Sequence, residues 1–129
     1  MRMFKFRGND NNGNWYYGSL IQYKSGETAI ANFERYGYEC STMSRTNVDP
    51  KTVGLFTGLV DKNGNEIYEG DIITYYVSLK KVDGEFVEDT RKTVVEWDGA
   101  GFNIASLSKI THTIEVIGNV HDNPELMND

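Results

Sequence analysis

The sequence predicts a mainly β protein made of successive antiparallel hairpins, forming a small barrel or sandwich with at most short helices. Two observations carry this expectation. Aromatic residues make up 12% of the chain, with eight tyrosines and thirteen glycines against two prolines, a composition that suits strands and tight turns. Short alternating runs are also separated by turn dipeptides, notably Asn63-Gly64 and Asp83-Gly84, the strongest short-range hairpin signals.

The elements follow in order. Met3 to Arg7 alternates apolar and basic side chains and reads as a first strand, with Phe4 and Phe6 on one face. Gly8 to Asn14 is a polar turn rich in Asn, which tolerates left-handed backbone angles. Trp15 to Tyr23 reads as a strand, and Ser25-Gly26 turns the chain into Thr28 to Phe33. The spacing of Ala29, Ile30 and Phe33 also permits a helix over 27–36, but its shortness and flanking glycines favour a strand.

Asp49-Pro50 opens a second half. Thr52 to Leu59 is β-rich, and Asp61-Lys62-Asn63-Gly64 turns it back. Ile67 to Val77 is a further β run that bends at Gly70. A hairpin around Asp83-Gly84 has charged tips over 78–92 and should project beyond the core. Val94 to Trp97 and Phe102 to Ile104 predict a third hairpin, and Ile114 to Val120 a last strand. Asn123 and Pro124 suit an N-cap and first position of a short terminal turn through Met127.

At 129 residues the chain is about the size of one domain, and it buries roughly two-thirds of its unfolded surface without needing disulfides. We expect an N-terminal β segment, 1–48, packed on a core spanning 49–129, together one structural unit. The net charge of −6 is uneven: residues 1–48 carry six Lys or Arg against four acids, and 49–129 carry seven against fifteen. An acidic surface repels phosphate backbones, which makes nucleic acid an unfavourable partner for the C-terminal part. A single cysteine, Cys40, allows no internal disulfide and fits a reducing compartment. No apolar run reaches the roughly 20 residues of a membrane span, and the charged start has no apolar signal core. The expected location is the bacterial cytoplasm, away from membranes.

Two blocks are more specific than propensity. Asp49-Pro50-Lys51-Thr52-Val53-Gly54-Leu55-Phe56-Thr57-Gly58-Leu59, continuing through Asp61-Lys62-Asn63-Gly64-Asn65-Glu66-Ile67-Tyr68-Glu69-Gly70-Asp71-Ile72, resembles the signature of the YopX family. So does the ending Glu115-Val116-Ile117-Gly118-Asn119-Val120-His121-Asp122-Asn123-Pro124-Glu125-Leu126. Lys5-Phe6-Arg7 and Trp15-Tyr16-Tyr17-Gly18-Ser19 match its beginning more loosely. The chain departs from the pattern at Leu55-Phe56, at His121 and in the hairpin from Ser78 to Lys92. The resemblance implies a phage- or prophage-encoded, mostly β protein of no established biochemical function, with no catalytic residues to carry over. Glu69-Gly70-Asp71-Ile72 further resembles the start of a crossing strand in SH3-like barrels, which makes such a barrel the expectation for the C-terminal part. Independently of family, Asp71 reads as a carboxylate that accepts backbone N–H groups and locks the turn.

Candidate chemistry is sparse. Nucleophilic catalysis needs a nucleophile, a base and an orienting group, and Cys40, His112 and His121 share no motif. Cys40 reads better as a small apolar residue. One Cys and two His make a zinc site improbable. Asp61 to Glu66 resembles a calcium loop only faintly, because its glycine stands fourth rather than sixth. We therefore expect no catalytic residues, no metal and no cofactor.

The candidate ligand or partner contacts are Arg7, Trp15, Tyr17, Tyr68, Asp71 and Trp97. Exposed members of Trp15-Tyr16-Tyr17 and Tyr75-Tyr76, beside Arg7, Arg35 or Arg45, would suit stacking or a protein surface. Burial on both faces of the sheet explains the same rings more simply. The expected role is a non-enzymatic accessory protein acting by protein binding or self-association. A small-molecule or nucleotide binder and a nucleic-acid-associated regulator are the alternatives.

Overall fold

The computed structural model describes residues 4–36 and 40–128. Antiparallel strands dominate, and no helical turn among the described residues exceeds four residues. The chain forms two compact units, Met1–Phe56 and Thr57–Asp129, with the division inside a strand.

The first unit contains β1 (Phe6–Asn9), β2 (Trp15–Gln22), β3 (Thr28–Tyr36), β4 (Cys40–Asn47) and the leading end of β5 (Gly54–Val60). Their order across the sheet is β4-β3-β2-β1-β5. The predicted first strand is displaced toward the C-terminus: it runs Phe6–Asn9, Phe4 stands outside it 63% exposed, and Met3 lies outside the described residues. The cause is Asp10, whose Oδ1 accepts from the N–H groups of Asn12 and Asn14 at 2.9 and 3.1 Å. This closes the turn later than the glycine suggests. Gly8 is strand instead of turn: it pairs with Tyr16, and a Cβ there would lie 2.7 Å from Val48 Cγ2.

β3 is a strand over the segment where a helix was a rival, with Ala29, Ile30 and Ala31 buried. Ladders on both its edges, to β2 and β4, satisfy the backbone and decide the matter. A buried polar knot ties β1 to the turn before β5. Asn9 N–H donates to Thr52 Oγ1 at 2.8 Å, Thr52 Oγ1 donates to the Asp49 carbonyl at 2.6 Å, and Asp49 N–H donates to the Asn9 carbonyl at 2.7 Å.

In the second unit, the trailing end of β5 pairs with β6 (Glu66–Tyr68), and β7 (Asp71–Val82) lies between β8 (Glu85–Val94) and β9 (Glu115–Asn119). Ile67, Ile73, Val95, Ile104 and Ile114 form a fully buried cluster, flanked by Leu59, Tyr75, Phe102, Leu107 and Val116. β9 pairs with Asp71–Thr74, so among the described residues the outer part of β7 has β8 as its sole ladder partner. A two-residue turn joins β7 to β8, with Asp83 at φ 52° and Gly84 at φ 85°. Both central residues in the left-handed region are what a type I′ hairpin requires.

Two expectations need correction here. The third hairpin is a single bridge, Trp97 to Phe102. Asp98 Oδ1 accepts from the N–H groups of Ala100 and Gly101, and the chain then coils into short 3₁₀ turns at Ala105–Leu107 and Thr111–Thr113. Asn123 does not cap the terminal turn Pro124–Met127. Its Oδ1 accepts from Asn119 N–H at 3.3 Å instead, tying the chain end to β9.

Ile73→Ala removes a side chain with no exposed surface from the centre of this cluster. It should cost about 2–5 kcal/mol in urea unfolding. A loss below about 1 kcal/mol would show that the cluster is not the core of this unit.

Candidate functional site

Three of the six candidate contacts lie in the first unit. Arg7 faces Tyr17 and Asn9 faces Trp15 in the β1–β2 register, so all four share one side of the pair. Arg7 is buried and its guanidinium carbon stands 4.8 Å from the centre of the Trp15 ring, a diagonal cross-strand stack. Tyr17 is 42% exposed beside them. Arg45 donates to the Tyr23 hydroxyl at 2.9 Å elsewhere in this unit. The side chains of Arg35 and Cys40 fall outside the described ones. A shallow cleft of about 340 Å³ is lined by Asn11, Glu27, Thr28, Asn47 and Asp49 together with Val48 and Pro50.

The other three lie in the second unit. Tyr68 and Asp71 are each 2% exposed. Asp71 Oδ2 accepts from Tyr68 N–H at 2.7 Å, the turn-locking role that its sequence context suggests. The Tyr68 hydroxyl donates to Glu66 Oε1 at 3.1 Å. Trp97 is 49% exposed and packs edge-on against Phe102, ring centres 5.0 Å apart. Tyr75 and Tyr76 are half-buried, and His112 and His121 are exposed.

Asp61 and Asp98 are engaged by backbone donors. Asp61 Oδ1 accepts from the N–H groups of Asn63 and Asn65, while its Oδ2 accepts from the Asn65 amide and from Val116 N–H on β9. One side chain thus closes the β5–β6 turn and pins β9. Burial pushes its carboxyl up, but the N–H groups of Val116, Asn65 and Asn63 outweigh it and hold the carboxyl below the ordinary 3.8. Ala100 N–H and then Gly101 N–H likewise hold Asp98 below that value. Among the described residues no three His, Cys, Asp or Glu side chains gather closely enough to hold a metal ion. No helix among them is long and apolar enough to cross a membrane.

The surface feature with the clearest consequence is the outer part of the β7–β8 hairpin. Val77, Leu79, Val82, Phe86 and Val87 are 39%, 57%, 47%, 71% and 40% exposed. Among the described residues, neither edge of this ribbon beyond Thr74 meets a third strand, and two-stranded ribbons gain little stability alone. Sequence reasoning identified the arm from its turn and its charges. It missed the apolar content because lysines and acids interrupt the run.

The family model described as YopX protein matches residues 5–128. Among solved structures, protein EF1440 from Enterococcus faecalis is similar, with 25% identity and a TM-score of 0.66 over 99% of this chain and 100% of that one. No curated protein matches.

Asp61→Asn should lower stability by about 1–3 kcal/mol at pH 7, because an NH₂ replaces an acceptor that backbone donors require. The carboxyl is more acidic folded than unfolded, so its contribution is complete above 3.8 and disappears as pH falls through the folded value. Urea unfolding of parent and variant should therefore converge in acid. Equal stabilities at neutral pH would contradict this assignment.

Proposed function

The chain belongs to the YopX family, and from that premise we propose that it is a phage- or prophage-encoded accessory protein that acts in the host cytoplasm by binding another protein rather than by catalysis. The observation that carries the binding reading is the β7–β8 arm, which holds Leu79 and Phe86 more than half exposed on a projecting ribbon. Exposed apolar side chains rimmed by charge are the usual composition of a protein contact. The phage origin rests on the sequence resemblance, and the cytoplasmic location on the lone cysteine. The engagement of Asp61, Asp71 and Asp98 with backbone donors supports structural duties for these acids.

A nucleotide or small-molecule ligand has one specific observation in its favour, the Arg7–Trp15 stack with Tyr17 exposed on the same side. That stack already occupies one face of the Trp15 ring, so the arm takes precedence.

A photo-crosslinking residue substituted at Phe86 should give discrete protein adducts in cells, and Leu79→Ser in the same chain should reduce them several-fold. A crosslinker at exposed Glu125 serves as the control position. Adducts no stronger from position 86 than from position 125 would remove the arm as a binding surface. Ligand-induced thermal stabilisation by a nucleotide would shift the reading to the alternative.

A further inference from the structure

The arm carries two different faces, and a direct ion pair stands on one of them among the described residues. Leu79 pairs with Glu88, and Lys81 with Phe86, so these four side chains project from the same face. The opposite face holds Lys80 and Asp89, whose charged atoms meet at 3.7 Å, along with Val82, Val87 and the exposed Glu85. Lys81 and Glu88 form no ion pair among the described residues. The Lys81 ammonium remains on its own face, 5.8 Å from the Phe86 ring centre.

The four positions mark the corners of a near-rectangle, about 7 Å along the strands and about 5 Å across them. Leu79 and Phe86 occupy one diagonal, Lys81 and Glu88 the other. This pattern is self-complementary about a single direction. We propose that a second copy of this chain packs on this face, about a two-fold axis lying along the Leu79–Phe86 diagonal.

Rotation about that axis places Leu79 against Leu79 of the partner subunit, and Phe86 against Phe86 of the partner subunit. It also places Lys81 against Glu88 of the partner subunit, and Glu88 against Lys81 of the partner subunit. An axis along the strands would instead set Leu79 on a glutamate and Phe86 on a lysine. An axis across the strands would set Leu79 on a lysine and Phe86 on a glutamate. Both bury charge against apolar surface, which costs free energy without a compensating partner. The diagonal axis alone matches like with like and charge with countercharge. It makes the ribbons cross at a wide angle, as in orthogonal sheet packing.

Four side chains per copy fall short of the ~1,200 Å² that stable interfaces bury in total, so the dimer is weak, reversible and concentration-dependent. It rests on the reading that the arm is a binding surface.

Analytical ultracentrifugation of the full chain, from dilute to near-millimolar concentration, tests the proposal together with Lys81→Glu and Glu88→Lys. The parent should move reversibly from the mass of one chain toward that of two. Each variant alone sets like charges at both contacts and should dimerise roughly tenfold more weakly or less. An equimolar mixture of the two variants should regain the parent's dimerisation, because opposite charges then meet at both contacts. A rescue within one chain cannot produce that result. Both positions are exposed, so unchanged circular dichroism should accompany both variants.

A parent that stays monomeric throughout, or a mixture no more dimeric than its components, would overturn the proposal. If position 86 still crosslinks to a different protein, the binding reading survives this failure. If those adducts are absent as well, both fall together.

Discussion

β7 is held along only part of its length, and that constraint organises the second unit. Residues Asp71–Thr74 have β8 on one edge and β9 on the other, with Ile72 and Ile73 excluded from solvent. The same strand runs on to Val82 with a single ladder and little cover. A strand clamped at its root and free beyond it becomes a lever: the buried part fixes direction, and the outer part presents side chains. Burial of each isoleucine contributes about 2–3 kcal/mol, which the exposed ribbon could not supply for itself.

Two carboxylates secure this root. Asp71 accepts the Tyr68 amide where β6 gives way to β7, and Asp61 joins the β5–β6 turn to β9. The Gly70 carbonyl accepts from Val120 N–H while Gly70 N–H donates to Val95, so the bend between β6 and β7 is hydrogen-bonded to segments on both sides. A carboxylate held in a local turn thus also fixes the position of a strand that is distant in sequence.

Local chemistry made much of this legible in the sequence. Gly64, Asp83 and Gly84 turn the chain with the left-handed angles that their residue types favour, and Glu69-Gly70-Asp71 forms its lock because acceptor and donor are three residues apart. What could not be read depends on register or on distant partners. The Arg7–Trp15 stack requires knowing that Asn9 faces Trp15. The bond from Val116 to Asp61 spans 55 residues. The third hairpin shrank to one bridge because Asp98 captures two amides by itself, which no strand propensity at Val94 or Phe102 anticipates. The diagonal arrangement on the arm likewise exists only once Lys81 is known to face Phe86.

Native-state hydrogen exchange resolved by residue reads the lever most directly. In dilute solution, the Ile72 and Ile73 amides should exchange only with global unfolding, while amides bonded across the arm between Leu79 and Glu88 should exchange orders of magnitude faster through local opening. Equal protection along the whole of β7 would contradict the account, because it would mean that the outer ribbon is held as firmly as its root.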